Sequence, residues 1–183
     1  ILPLRLDVTD RDGVFAAVQQ AHDRFGALDV VVNNAGYGQF GMIEEISEAE
    51  ARAQFDTNVF GALYVTQAAL PYLRAQGSGH ILQVSSIGGI SAFPNIGIYN
   101  ASKWALEGFS QALAHEVADF GIKVTIIEPG RGMVGKERLA HIARRSSHPQ
   151  LLSPLLCAFV PSPVGEGQGG VFLRETTPHP TPP

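Results

Sequence analysis

A chain of 183 residues, 45% hydrophobic and 16% charged, has the size and balance of one globular domain able to bury a core. Its formal net charge of −4, with no Lys/Arg run, offers no basic field to nucleic acid or an anionic membrane, and no apolar stretch approaches the ~20 residues of a membrane-spanning helix. The single cysteine, Cys157, excludes an internal disulfide and suits a reducing, cytoplasmic compartment, which leaves small molecules as the expected partners.

The first residues carry Pro3, Arg5 and Asp7 where a signal peptide needs an apolar core. The chain starts without Met and directly inside a strand pattern, Leu2 to Leu6, so a preceding segment is expected. Thr9-Asp10-Arg11-Asp12 predicts a capping box opening a helix that Gly26 stops. Leu28 to Val32 is a continuous apolar, β-branched run, the pattern of a parallel strand buried on both faces, and Asn33-Asn34-Ala35-Gly36 ends it. Ser47 to Glu50 is a second capping box, followed by a helical pattern to Arg74 with a break near Asp56. His80 to Val84 is the next strand, Gly88 to Gly97 a loop, Tyr99 to Phe120 a helix closed by Gly121, and Ile122 to Ile127 a further strand. This alternation predicts an α/β fold, a doubly wound parallel sheet with helices on both faces and ligands beyond the carboxyl ends of the strands. Asn33 to Gly36, Ser85-Ser86 and Pro129-Gly130 all stand at such ends. After Gly130 the character changes. Residues 131–183 are Pro- and Gly-rich and read as a poorly ordered tail, apart from a weak basic helix at Gly132 to Arg145, an apolar run at Leu151 to Val160 and a short strand pattern at Gly170 to Leu173.

One stretch carries chemistry. Tyr99 and Lys103 stand four apart in a helical pattern and so share a face. An ammonium one turn from a phenol stabilises the phenolate, which suits the phenol to proton transfer near neutral pH. A Tyr-x-x-x-Lys match alone carries a false-positive risk that demands structural context, the plain alternative being a surface tyrosine beside a solvated lysine. Ser86 at a strand end thirteen residues upstream, and Asn34-Ala35-Gly36 at the end of the preceding strand, supply context. Taken singly, Ser86 reads as a strand-end cap, Asn58 as a solvated or bent-helix residue and Asp7 as loop capping.

Asp7, Asn33-Asn34-Ala35-Gly36, Asn58-Val59, Ser85-Ser86, Tyr99 to Lys103 and Pro129-Gly130 resemble, in order and spacing, the short-chain dehydrogenase/reductase family in its single-domain branch. The likeness covers about Leu2 to Gly130. It implies a Rossmann-like fold and an oxidoreductase that moves a hydride between NAD(P)(H) and a secondary alcohol or ketone. The resemblance casts Tyr99 as general acid/base, Lys103 as the group that favours its phenolate and holds the nicotinamide ribose, and Ser86 as the donor to the substrate carbonyl. Asn58 is implied to anchor a water in the proton relay. Asn34, Ala35, Gly36, Pro129 and Gly130 are implied to lie along the cofactor and Asp7 beside its adenine, with a homo-oligomer as the expected full-length assembly. Carbonyl reduction builds negative charge on oxygen, so a hydroxyl donor and a proton source about 3 Å away are what the site needs.

The family's glycine-rich phosphate loop has no counterpart, because the chain begins at what resembles the third strand. In the order 3-2-1-4-5-6 the strands at Leu2 and Leu28 would flank two missing positions, leaving the first without a neighbour and the second with an open hydrophobic edge. The sheet is therefore expected to be incomplete, residues 1–130 a partial catalytic domain and 131–183 an atypical tail from a fragment or a shifted reading frame. Arg131-Gly132-Met133-Val134 stands where the family usually has a Thr steadying the nicotinamide amide. NAD and NADP are not distinguished, since the residue reading the ribose 2′ position follows a missing strand. Gly36-Tyr37-Gly38-Gln39-Phe40-Gly41 fits Gly-x-Gly-x-x-Gly, yet that fingerprint should open a helix and here the helix waits for Ser47. The six His, at 22, 80, 115, 141, 148 and 179, form no metal-ligand spacing and read as surface residues. Two other readings are a non-catalytic truncated relative and a sugar-nucleotide epimerase or dehydratase, the latter disfavoured by Asn33 to Gly36.

Overall fold

Residues 1–130, 156–160 and 169–173 are described by the structure, a computed structural model. Strand β1 (Leu2–Leu6) runs into Asp7, whose Oδ1 accepts from the Thr9 N–H at 2.9 Å and the Thr9 hydroxyl at 2.8 Å. This turn holds Thr9 outside helix α1 (Arg11–Phe25). The cap is consequently Asp10 rather than Thr9, its Oδ1 accepting from Gly13 N–H at 3.1 Å. Strand β2 (Val30–Asn33) begins two residues later than its apolar run. Leu28 stays out of the ladder because both its peptide groups bond the side-chain amide of Gln76, at 3.1 Å each.

Helix α2 (Glu48–Phe55) opens with the predicted capping box between Ser47 and Glu50. The expected break at Asp56 is a π turn, Asp56–Gly61, which passes without a loop into α3 (Ala62–Gln76). Strand β3 (Gly79–Val84) is followed by a 3₁₀ turn, Ile87–Gly89, and by α4 (Gly97–Glu116). The predicted helix to Phe120 tightens at its end into a separate 3₁₀ turn, Ala118–Phe120, before β4 (Ile122–Ile127).

The sheet order is β1-β6-β5-β2-β3-β4, where β5 is Leu156–Val160 and β6 is Gly169–Leu173. β2, β3 and β4 pair in parallel, Val31 opposite Ile81 and Ile81 opposite Val124. The two positions expected to stand empty between β1 and β2 are filled from the far end of the chain. β5 lies parallel to β2, and β6 lies antiparallel to both β5 and β1. The open edge predicted for β2 is therefore paired, Val30 with Leu156 and Val32 with Ala158, and β1 has a neighbour after all. The remainder of the tail, with the basic helix predicted at Gly132 to Arg145, lies outside the described residues.

Alternate residues of the strands, Leu6, Val31, Ile81 and Ile122, join Val14 and Ala21 of α1, Val65, Ala69 and Leu73 of α3, and Leu113 of α4 in one buried cluster. Period-two alternation assigns those strand residues to one face, so α1, α3 and α4 share that face. The expected second helical layer is not found among the described residues. Val30, Leu82 and Val84, of opposite parity, are only half-buried. His80, read as a surface histidine, is half-buried there with Nε2 2.8 Å from the Thr125 hydroxyl. Burial, then the charge of Lys123, lowers its pKa and favours the neutral ring. Trp104 of α4 and Phe120 of the following 3₁₀ turn are exposed.

Candidate active site

Parallel strands deliver their following loops to one end of the sheet, and the parallel ladders put Asn34–Gly36, Ser85-Ser86 and Pro129-Gly130 there together. Backbone bonds tie the loops: Ser85 N–H donates to the Ile127 carbonyl at 2.8 Å and Ile87 N–H to the Pro129 carbonyl at 3.1 Å. Asp7 is at the same end, but three strand spacings, about 14 Å, separate β1 from β2. Its carboxylate is engaged with Thr9. The structure thus joins the Ser86, Tyr99, Lys103 and Asn58 group and leaves Asp7 apart from it.

Tyr99 and Lys103 share the inner face of α4. Lys103 is 5% exposed, donates from Nζ to the Val84 carbonyl at 2.8 Å, and lies 5.9 Å from the centroid of the Tyr99 ring. Burial pushes its pKa down to about 8, opposed by the negative charge of Glu107. Ser86 accepts at Oγ from Gly88 N–H at 3.1 Å, which is the strand-end capping its type predicts. Capping uses a lone pair and leaves the hydroxyl proton free to be directed elsewhere.

Two glycines permit the convergence. A methyl on Gly88 would stand 2.8 Å from Asn100 Oδ1, 3.3 Å from Tyr99 Cε1 and 3.5 Å from Ser86 Oγ, so that point is shared by the serine and tyrosine of the site. A methyl on Gly36 would stand 3.0 Å from Asn58 Oδ1 and 3.4 Å from Lys103 Nζ. The short Gly-rich loops therefore bring backbone up to α4 at close range, as a site for a flat ligand requires.

Asn58 sits in the π turn and is 1% exposed. Its amide donates to the Tyr37 carbonyl at 2.9 Å and the Ser102 hydroxyl at 3.0 Å, while Oδ1 accepts from Tyr37 N–H at 3.0 Å. Ser102 Oγ in turn donates to the Tyr99 carbonyl at 2.7 Å. The side chain thus links the loop after β2 to the helix turn carrying Tyr99; Asn58 is buried rather than solvated, and its place in the π turn agrees with the bent-helix reading. Gln54, one turn earlier and fully buried, donates to the same Tyr37 carbonyl and accepts from Gln39 N–H. Gln54, Ser102 and Glu107 are the site-supporting residues the sequence reading misses. For Gln54 and Glu107 the available signal is spacing: Gln54 and Asn58, and Lys103 and Glu107, are each four apart on a helix.

Residues 1–136 match the short chain dehydrogenase family. The chain belongs to that family. Among short-chain dehydrogenase relatives, "Oxidoreductase BOA17" of Botryotinia fuckeliana is 50% identical over 130 residues, 71% of this chain and 47% of that protein. A short-chain dehydrogenase from Streptomyces avermitilis superposes with a TM-score of 0.67 at 47% identity, over 68% of this chain and 47% of that one. ElxO, solved with NADP bound, gives a TM-score of 0.68 at 33% identity, over 75% and 56% of the two chains. The chain spans about half the length of the curated relatives it matches. Fold class and family agree with the resemblance read from the sequence. No described helix is long and apolar enough to cross a membrane.

Proposed function

We propose that the protein is an NAD(P)-dependent oxidoreductase acting between a secondary alcohol and a ketone, with Asn58, Ser86, Tyr99 and Lys103 as its working residues. The observation that carries this reading is the closure of Ser86 Oγ and the Tyr99 ring on one point above Gly88, with the Lys103 ammonium on the same helix face. In the reductive direction Ser86 donates a hydrogen bond to the carbonyl oxygen, and Tyr99 Oη gives it a proton as negative charge develops. Lys103 stabilises the phenolate left behind, and Asn58 keeps the Tyr37 loop and the Tyr99 turn in register. In the oxidative direction the same atoms take the proton back.

The residues at this end fit the nicotinamide half of the cofactor. Gly36 leaves space against Asn58 and Lys103 that a side chain would fill, and a buried ammonium suits ribose hydroxyls. Asn34, Ala35, Gly36, Tyr99, Lys103, Pro129 and Gly130 would hold that half, with Asp7 toward the adenine. When bound, the nicotinamide supplies or accepts the hydride. The reading extends to a cytoplasmic protein that is a homo-oligomer in its full-length form. It is tested by Tyr99→Phe: loss of carbonyl reduction with unchanged folding supports it, and parent-level turnover sinks it.

A second reading, a non-catalytic relative, is favoured by one observation. β5 and β6 occupy the sheet positions that the doubly wound order gives to its first two strands, the first of which leads into the phosphate-binding turn. Titrating NADPH into the protein while following its fluorescence separates the two: saturable change supports the enzyme, none supports the alternative.

A further inference from the structure

Glu107 lies one helical turn beyond Lys103 on α4 and is 5% exposed, in a position where a carboxylate is rarely found without a partner. Its Oε1 accepts no hydrogen bond among the described residues. A methyl on Gly89 would stand 3.1 Å from that oxygen and 2.6 Å from Ser85 Oγ, so the carboxylate points back at the turn after β3. That turn follows the Val84 carbonyl, to which the Lys103 ammonium is bonded. Side chains four apart on a helix have Cβ atoms about 5–6 Å apart, and at that range two buried charges interact with little screening by salt.

Few other groups compete. Tyr99 and Glu107 are the titratable neighbours on α4 itself. The elements packed against Lys103 present Gly36 from the loop after β2, Asn58 from the π turn and the Val84 carbonyl from β3, none of which titrates. A buried ammonium with a single hydrogen bond among the described residues is costly, because its desolvation is offset only by that bond and by an opposite charge nearby.

We propose that Glu107 is a positioning residue whose buried carboxylate holds Lys103 in its ammonium form and thereby sets the upper pH at which the site keeps its cation. Burial alone drives Lys103 toward the neutral amine, and Glu107 is the counterweight. The effect on turnover rests on the hydride-transfer reading; the charge state of Lys103 does not.

The test reads Lys103 directly. Lysines occur only at 103, 123 and 136, so ¹³Cε labelling of lysine gives three NMR signals, and the one missing in Lys103→Arg is assigned. In the parent that signal titrates near pH 8. In Glu107→Gln it moves down by about one unit, a tenfold loss of ammonium at a given pH above the midpoint. Glu107→Met removes the charge without adding a buried amide and gives the same shift, while Glu107→Asp, which keeps the charge, restores most of the parent value. A Lys103 midpoint unchanged in both charge-free variants overturns the proposal, as does a Glu107→Asp shift equal to that of Glu107→Gln. Failure of both charge-free variants to fold assigns the carboxylate to folding alone and overturns it equally. Because the signal is read without substrate or cofactor, a failed titration leaves the catalytic reading standing, and absent turnover leaves the titration standing.

Discussion

The two ends of the sheet are put together by different means. From β2 to β4 each strand pairs in parallel with the next strand in the chain, and the crossing helices α3 and α4 carry both core and site. At the other end β5 and β6 pair antiparallel as consecutive strands, but their outer neighbours are remote: Leu2 opposes Leu173 and Val30 opposes Leu156. Short right-handed crossovers are the default for parallel strands and need only local pattern, whereas ladders between chain ends pay a larger loop-closure entropy for each contact. The candidate chemistry lies wholly in the locally wired half.

The sharpest way to test that division is inside the site. Tyr99→Phe is expected to lower carbonyl turnover by about 10²–10⁴-fold, with an unchanged thermal midpoint. Ala158→Pro strikes the other half: it removes an N–H from a strand paired on both edges and should cost about 1–3 kcal/mol through the ladder bond lost and the acceptor left unpaired, read from urea unfolding. A neutral result there would mean that β2 needs no partner on that side.

Lys103 supplies a pH signature belonging only to the local half. Its folded pKa of about 8 lies below the ordinary value near 10.4, so the unfolded chain binds more protons between those values. Stability contributed through this group therefore rises with pH across about 8 to 10.4, by at most about 3 kcal/mol, and Lys103→Met should flatten that rise in unfolding curves at pH 7.5 and 10. Any turnover dependent on the ammonium falls earlier, as pH rises through about 8, where the folded protein loses that charge. Gly88→Ala drives a methyl toward Asn100 Oδ1 and the Tyr99 ring and should cost about 1–3 kcal/mol, with a larger proportional loss of turnover than of stability. Ser47→Ala, which removes the capping box of α2, should lower stability by about 1 kcal/mol without altering Lys103's titration.

The same division governs what could be read from residues alone. β1 and β4 match their apolar patterns to the residue, the Ser47 cap and the break at Asp56 appear where composition puts them, and Gly26, Gly77 and Gly121 end helices in the left-handed conformation. The misses have local physical causes. Asp7 captures Thr9, so Asp10 caps α1; Gln76 satisfies Leu28, so β2 starts late. The filling of the gap beside β2 had no periodic signal, because β5 and β6 are five-residue runs in a Pro- and Gly-rich context whose pairing depends on distant backbone. In the site, Tyr99, Lys103 and Ser86 were legible through their types and spacing. Gln54, Ser102 and Glu107 were not, since a buried polar side chain acts through partners that only the fold reveals.

The π turn at Asp56–Gly61 carries one consequence beyond the placing of Asn58. An extra residue in a helical rod advances every later side chain by about 100°. The turn therefore works as a phase adjuster between two stretches of one rod. It lets Gln54 and Asn58 face the Tyr37 loop while Val65, Ala69 and Leu73 face the core. The angular setting of the site is thereby uncoupled from that of the core, and substitutions can retune one side of the rod without turning the other.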